Sequence, residues 1–295
     1  MDGILNINKP LGKTSFSIVS AVRRLSGESR VGHAGTLDPA ASGVLPVCLG
    51  RGTRVIEFLL DTPKAYRAEI EFGVVTDTDD AIGKIVSRGD PSGVSRRKLL
   101  SALKSFRGLI SQTPPMYSAV KHRGKPLYKL ARQGIEVERK SRLRWIYRLE
   151  LTGWQSPLAT IEVECERGTY IRSLAHDLGQ LLGCGAHLKN LLRLRCGSFS
   201  LEDAVSLSQL EDGFRYGYWQ ELIYPIDFVL LHWAAVVVDN AAEKNIRNGR
   251  PLVLDEDDSS GDRCRAYSSD GSFLGVLKFN PETGQWQPEK VFISP

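Results

Sequence analysis

Residues 159–182 constrain the fold of this chain more than any other stretch. "ATIEVEC", Ala159 to Cys165, alternates apolar and polar side chains without a break, which is the pattern of a strand with one face buried. It runs through "ERGTY" directly into a segment where Ile171, Leu174, Ala175, Leu178, Leu181 and Leu182 follow the 3.6-residue period of a helix, ended by Gly183. Elsewhere strands and helices mix without a regular βαβ alternation. The fold class expected is therefore α+β, with a mixed, largely antiparallel sheet flanked by helices.

The neighbouring segments fit that frame. Thr14 or Ser15 can cap a helix through "SFSIVSAVRRLSG", with Ile18, Val19, Val22 and Leu25 on one face and Gly27 as its stop. The small-residue stretch from Gly32 to Gly50 reads as a loop. "AYRAEIEFGVV" and "GKIVSR" read as strands, and "RRKLLSALKSFRG" as a helix stacking Leu99, Leu100, Leu103 and Phe106. "QTPPMYSAV" is a proline-broken extended piece, and "LYKLARQG" is a short helix ended by Gly134. Beyond about Pro225 the texture changes to short strand-like pieces, "AAVVVD", "RPLVL", "CRAYS", "FLGVLKF" and "KVFIS", separated by turns such as "DSSGD" and "SSDGS". These predict a small C-terminal β-barrel and a division into residues 1–228 and 229–295.

A chain of 295 residues with 42% hydrophobic and 25% charged residues has the length and composition of a soluble globular protein. The N-terminus lacks the basic head and apolar run of a secretory signal. The longest apolar run, "FVLLHWAAVVV", is too short to span a bilayer and reads as buried core near a domain junction. Five scattered cysteines fit a reduced, cytosolic chain. The net charge of +5 is unevenly spread. Lys121 to Arg144 holds nine lysines and arginines against two glutamates, so the remainder is slightly negative. Such a stretch, interleaved with Tyr128, is either a phosphate-binding surface or a solvated helix face.

Several chemical motifs are excluded. "LGKTS" lacks the glycine that a phosphate-binding loop needs, because Ile7 stands in its place. "TDTDDAIG" places Ala81 and Ile82 where a calcium loop needs ligands or glycine, and an acidic turn explains it. Cys184, His187 and Cys196 lack a fourth metal ligand. Asp38 remains. Ahead of a proline it can close an Asx-turn, cap a helix starting at Pro39, or act as a catalytic carboxylate. Its neighbours Gly32, Ala34, Gly35, Ala40, Ala41, Ser42 and Gly43 leave little bulk, as where a large ligand approaches the backbone. Arg172 sits in the first turn of its helix, at the positive end of the dipole, and would be better tolerated beside a carboxylate. Its alternative is a surface arginine bonded to a loop carbonyl. His33 is open to a purely structural reading, as are Tyr66 and Tyr170.

Taken together, "GILNINKPLGKTS", "VGHAGTLDPAASGVLPVCLGRGTR", "KAYRAEIEFGVVTDTDDAIGKI", "QTPPMYSAVKHRGKPLYKLARQGIEVE" and "ERGTYIRSLAHDLGQLLGCGAHLKNLLRLRCGSF" resemble the TruB family of tRNA pseudouridine synthases. That family isomerises the T-arm uridine at tRNA position 55. "IRNGRPLVL" resembles a PUA-type RNA-binding module. The resemblance implies a pseudouridine synthase fold with Asp38 as the catalytic aspartate, Tyr66 as the tyrosine that stacks on the base, and Arg172 as the aspartate's partner. It also implies that His33 supports displaced T-loop nucleotides and that Tyr170 and Leu191 line the uridine pocket. Lys121 falls in the basic stretch expected to grip tRNA phosphates. The reaction implied needs no metal and no organic cofactor, and a monomer in the cytoplasm suffices for it. Two other classes compete. One is a non-catalytic RNA-binding or RNA-folding protein on the same scaffold, for which a buried carboxylate against a polyanion has no use. The other is a nucleoside-cleaving hydrolase, which needs a second acid that the sequence does not place near Asp38.

Overall fold

The structure, a computed structural model, describes residues 1–254 and 261–292. Strand β1 (Gly3–Lys9) leads into helix α1 (Ser15–Ser26). The Thr14 side chain caps α1 by accepting from the Ser17 amide, and Gly27 ends it in the left-handed region at φ 66°. Strands β2 (Val31–His33) and β3 (Ala41–Leu49) follow, then a 3₁₀ turn (Gly50–Val55) and α2 (Ile56–Asp61). Next come β4 (Lys64–Phe72), the hairpin β5 (Val74–Thr76) and β6 (Ile85–Arg88), α3 (Arg96–Lys104) and β7 (Gly108–Gln112). The two-residue strands β8 (Lys121–His122) and β9 (Lys125–Pro126) form a small hairpin before α4 (Leu127–Ala131).

Strands β10 (Arg142–Gln155) and β11 (Leu158–Cys165), helix α5 (Ile171–Leu181) and β12 (Ala186–Cys196) complete the centre. Strand β13 (Phe199–Ser200), helix α6 (Leu207–Tyr216) and β14 (Ile223–Tyr224) close the main body. Its sheet has the order β14-β1-β3-β12-β4-β11-β10-β7, with β2 added to β3 and β13 to β12. Every pairing in it is antiparallel except β3 with β12. In β11 buried and half-exposed residues alternate along the strand, as the sequence pattern requires. Helices α3 and α5 share a buried cluster with β4, β10 and β11, whereas α1 and α6 share another with β1 and β3. The sheet is thus mixed, largely antiparallel and flanked by helices.

The small C-terminal unit is a sheet of order β15-β16-β17-β18, from β15 (Ala234–Val237), β16 (Arg263–Tyr267), β17 (Phe273–Asn280) and β18 (Gln285–Val291). Helix α7 (Asn240–Arg247), not expected among the strand-like pieces, contributes Ile246 to its core. "RPLVL" is not a strand; only Leu252 bridges to Trp286. The "DSSGD" turn and the end of "KVFIS" lie partly outside the described residues. Val229, Leu230, Val276 and Phe292 join a cluster with Ile4, Val44 and Leu59, so the small sheet is seated on the main body.

Three local expectations need correction. Ala41–Leu49 is no loop but β3, hydrogen-bonded on both sides, and its continuous apolar run reflects burial on both faces. Leu100 and Leu181 face solvent, one position off the buried stripe of their helices. The run "FVLLHWAAVVV" is core only in part, because Leu231 and Val237 are exposed.

Candidate active site

The segment between β2 and β3 carries Asp38, and the first turn of α1 holds it. Ser15 Oγ accepts from the Leu37 amide at 2.9 Å and donates to the Leu37 carbonyl at 3.0 Å. The Gly12 amide donates to the Pro39 carbonyl at 2.8 Å. No helix starts at Pro39. The Asp38 carbonyl instead accepts from the Ala41 amide in a tight turn, which leaves the carboxylate free for other partners.

The partner is Arg172. Its Nη2 lies 3.0 Å from Asp38 Oδ2, and its own side chain is only 7% exposed while that of Asp38 is 45% exposed. The same guanidinium donates to the Tyr117 carbonyl (2.7 Å) and the Thr78 carbonyl (3.3 Å), and approaches Asp80 Oδ2 at 3.8 Å. A buried arginine with this many acceptors is fixed in orientation, so the carboxylate of Asp38 meets a guanidinium whose direction is set by the fold. Asp38, Asp80, Arg172, Ala40, Ala41 and Leu191 line one small cavity.

Of the other predicted residues, Leu191 lines this cavity with the pair, whereas Tyr66, Tyr170, His33 and Lys121 do not. Leu191 is in the cavity wall, on β12 opposite Ala41 and Ala68. Tyr66 on β4 pairs in register with Arg193 on β12, on the same face as Leu191. Burial pushes its phenol up to about 12, against the opposing charge and hydrogen bond of Arg193. Tyr170 precedes α5, and its backbone is clamped by the buried Gln112, whose side chain bonds both the amide (2.7 Å) and the carbonyl (2.9 Å) of Tyr170. His33 sits at the end of β2. Burial and the Arg193 charge lower its pKa, and its Nδ1 has no hydrogen-bond partner among the described residues. Lys121 is not in the cavity. It is exposed on the β8–β9 hairpin, four residues beyond the carbonyl of Tyr117 that Arg172 holds.

Four residues of this neighbourhood went unread in the sequence. Asp80 was part of an acidic turn, yet it shares Arg172 with Asp38. A second acid does therefore stand in the cavity wall. Its Oδ1 accepts from Thr78 Oγ1 (2.5 Å) and the Ile82 amide (3.2 Å) and its Oδ2 faces Arg172, so it is committed to holding the arginine rather than to proton delivery. Arg193 is fully buried and donates to the carbonyls of Val44 (2.6 Å) and Gly35 (3.1 Å). Lys9 is fully buried, and its Nζ caps the carbonyls of Pro10 and Lys13 beside the Asp38 segment. Gln112 was hidden in a strand too short to show a period.

The small residues around Asp38 also serve differently from expectation. A Cβ on Gly43 would meet the Arg193 carbonyl at 2.2 Å, and one on Gly32 would meet Ile56 Cδ1 at 2.8 Å. These glycines let protein backbone and side chains pack closely. Only Ala40 and Ala41 leave room in the cavity itself.

Residues 23–171 match the TruB family pseudouridylate synthase (N terminal domain), and residues 172–230 match the tRNA pseudouridylate synthase B C-terminal domain. The chain belongs to the TruB family. A relative from Dehalococcoides mccartyi (strain CBDB1), tRNA pseudouridine synthase B, is 48% identical over 99% of this chain and 97% of its own length. The protein of the same name from Pelotomaculum thermopropionicum is 40% identical over 100% of this chain and 96% of its own. Among solved structures, a chain of a Cbf5-Nop10-Gar1 complex superposes with a TM-score of 0.77 at 28% identity, covering 99% of this chain and 85% of that one. The two TruB matches meet inside α5, between Ile171 and Arg172, so that boundary does not divide the sheet: β12 lies at its centre.

Proposed function

We propose that this TruB-family tRNA pseudouridine synthase acts on the T-arm uridine at tRNA position 55, with Asp38 as its catalytic carboxylate, Arg172 as the charge that orients it and Tyr66 as the ring against the base. The observation that carries this reading is the 3.0 Å contact of Arg172 with Asp38 at the mouth of a cavity. The isomerisation breaks the N1–C1′ bond, turns the uracil, and joins C5 to C1′. The C5 proton is lost and N1 gains one, so the atoms balance without a redox partner or an energy source. A carboxylate begins the sequence in its ionised form, by attack on the nucleoside or by removal of a sugar proton.

The target uridine lies within a folded loop, so it must leave its stack to reach Asp38. Tyr66, a phenol that burial pushes still further above neutrality, offers a flat face for stacking and an O–H for hydrogen bonding. His33, Tyr170 and Leu191 complete the nucleotide surroundings in this reading, and the exposed Lys121 hairpin grips phosphates and fixes register. Residues 1–228 carry the chemistry and residues 229–295 add RNA contact. The chain acts as a monomer in the cytoplasm, with no metal or cofactor. Among the described residues no helix is long and apolar enough to cross a membrane.

The decisive experiment maps pseudouridine in an unmodified tRNA transcript after incubation with wild type or Asp38→Asn. T-arm modification by wild type only, with RNA binding kept in the variant, is the expected result. Modification by Asp38→Asn removes Asp38 from its role, and release of free uracil by wild type identifies a hydrolase instead.

A further inference from the structure

Helix α5 presents two side chains to one turn of the β5–β6 hairpin. Arg172 and His176 are four residues apart and so lie on the same face. Arg172 takes the Thr78 carbonyl and approaches Asp80, while His176 Nδ1 stands 2.9 Å from Asp79 Oδ1. The contact is an ion pair at hydrogen-bond distance. Three consecutive residues of the turn are therefore held by one helix.

The middle one is strained. Asp79 has φ 59°, in the left-handed region that favours glycine. Its carbonyl accepts from the Leu188 amide at 3.0 Å, which joins the turn to the cavity wall on β12. Asp80 follows directly, locked by Thr78 and Ile82 against Arg172. A side chain that keeps Asp79 in place therefore sets where Asp80 meets the arginine.

We propose that His176 is a positioning residue for the pseudouridine synthase reaction: paired with Asp79, it holds the turn that seats Asp80 on Arg172, and it does so in its protonated form. The proposal rests on the reading of Asp38 and Arg172 as the catalytic pair. The groups facing His176 agree with it. The Asp79 side chain raises its pKa first, burial opposes this, the charges of Asp79 and Asp177 raise it further, and Arg139 lowers it. Asp177, the next residue on the helix, is itself raised by burial, lowered by His176 and raised by Asp79, and its charge acts on His176 in the same direction as that of Asp79. The hold on the turn then weakens as pH rises through the histidine's range.

The test is the single-turnover rate of pseudouridine formation on a tRNA transcript, measured from about pH 6 to about pH 8.5. H176Q should lose several-fold in rate at the acid end, with tRNA affinity unchanged, and its deficit against wild type should narrow toward the alkaline end as His176 gives up its proton. H176K, which keeps the charge, should hold the acid-end rate of wild type across the range. D79G suits the left-handed backbone and so keeps the fold while removing the carboxylate; it should behave as H176Q. A wild-type to H176Q ratio that does not change with pH, or a D79G enzyme with the wild-type profile, overturns the proposal. D38N run alongside separates the two levels. Activity in D38N defeats the site reading itself, whereas an inactive D38N with an indifferent H176Q defeats only the role of His176.

Discussion

Arg172 reaches Asp38 from the first turn of α5, with 3.0 Å between Nη2 and Oδ2, and does so from an almost wholly buried position. An arginine at a helix N-terminus works against the helix dipole. Two carboxylates and two backbone carbonyls offset that cost here. The expected consequence is that Arg172 matters to folding and to chemistry separately. Arg172→Lys keeps a charge but cannot span Asp38, Asp80, Thr78 and Tyr117 together. Its single-turnover rate should fall on the order of a hundredfold, about 3 kcal/mol of lost transition-state stabilisation, with tRNA affinity little changed. Arg172→Ala leaves Asp80 buried without its counter-charge and should also unfold more easily by about 3 kcal/mol in urea titration. A lysine variant with the wild-type rate would remove the orienting role.

How much of this was legible follows from what each residue's signal depends on. Helix α1 announced itself through Thr14 and Gly27, which act locally, and β11 with α5 through two unmixed periods. Asp38 and Arg172 stood out because each was chemically awkward where it stood. Strand β3 is hard to read in the sequence because a parallel partner distant in sequence, β12, dictates its one glycine, Gly43. Asp80 and Arg193 were missed for a related reason. A charged residue in a turn or a strand looks solvated until the tertiary fold supplies the carbonyls and guanidinium that bury it.

Gly43 tests that reading of β3. It has φ 101°, and an added Cβ would meet the Arg193 backbone at 2.2 Å. Gly43→Ala must therefore strain its own backbone and part β3 from β12. We expect a loss of stability of about 3 kcal/mol by thermal or chemical unfolding. Because β3 anchors the Asp38 segment, catalysis should fall even below the melting transition. A variant as stable as wild type would mean that the parallel pairing is looser than the close approach implies.

Lys9 yields a prediction of stability against pH. Burial lowers its pKa from 10.5 to about 8, opposed by Asp38 and assisted by Arg193. Between about 8 and 10.5 the unfolded chain binds the proton that the folded chain has released, so this group makes stability rise with pH across that window. The contribution is at most about 3 kcal/mol. Lys9→Met should flatten this rise relative to wild type. It should also lower stability overall near neutrality, since the carbonyls of Pro10 and Lys13 lose their donor. An unchanged slope between the two proteins would show that Lys9 titrates normally in the fold.

The β8–β9 hairpin decides whether the basic stretch binds RNA. Arg123 and Gly124 both have positive φ, 47° and 82°, the backbone of a tight two-residue hairpin turn. The turn lifts Arg123 to the tip, with Lys121 and Lys125 exposed beside it. Arg123→Gly removes the charge at a position whose backbone already favours glycine, so a structural loss is not expected. If the tip meets phosphates, Arg123→Gly with Lys121→Ala should weaken tRNA binding and reduce the slope of log affinity against log salt by between about one and two. The rate at saturating tRNA should stay near wild type, because neither side chain lines the cavity that holds Asp38. An unchanged salt slope in the double variant would mark the stretch as a solvated surface, and the grip on the T-arm would have to come from elsewhere on the chain.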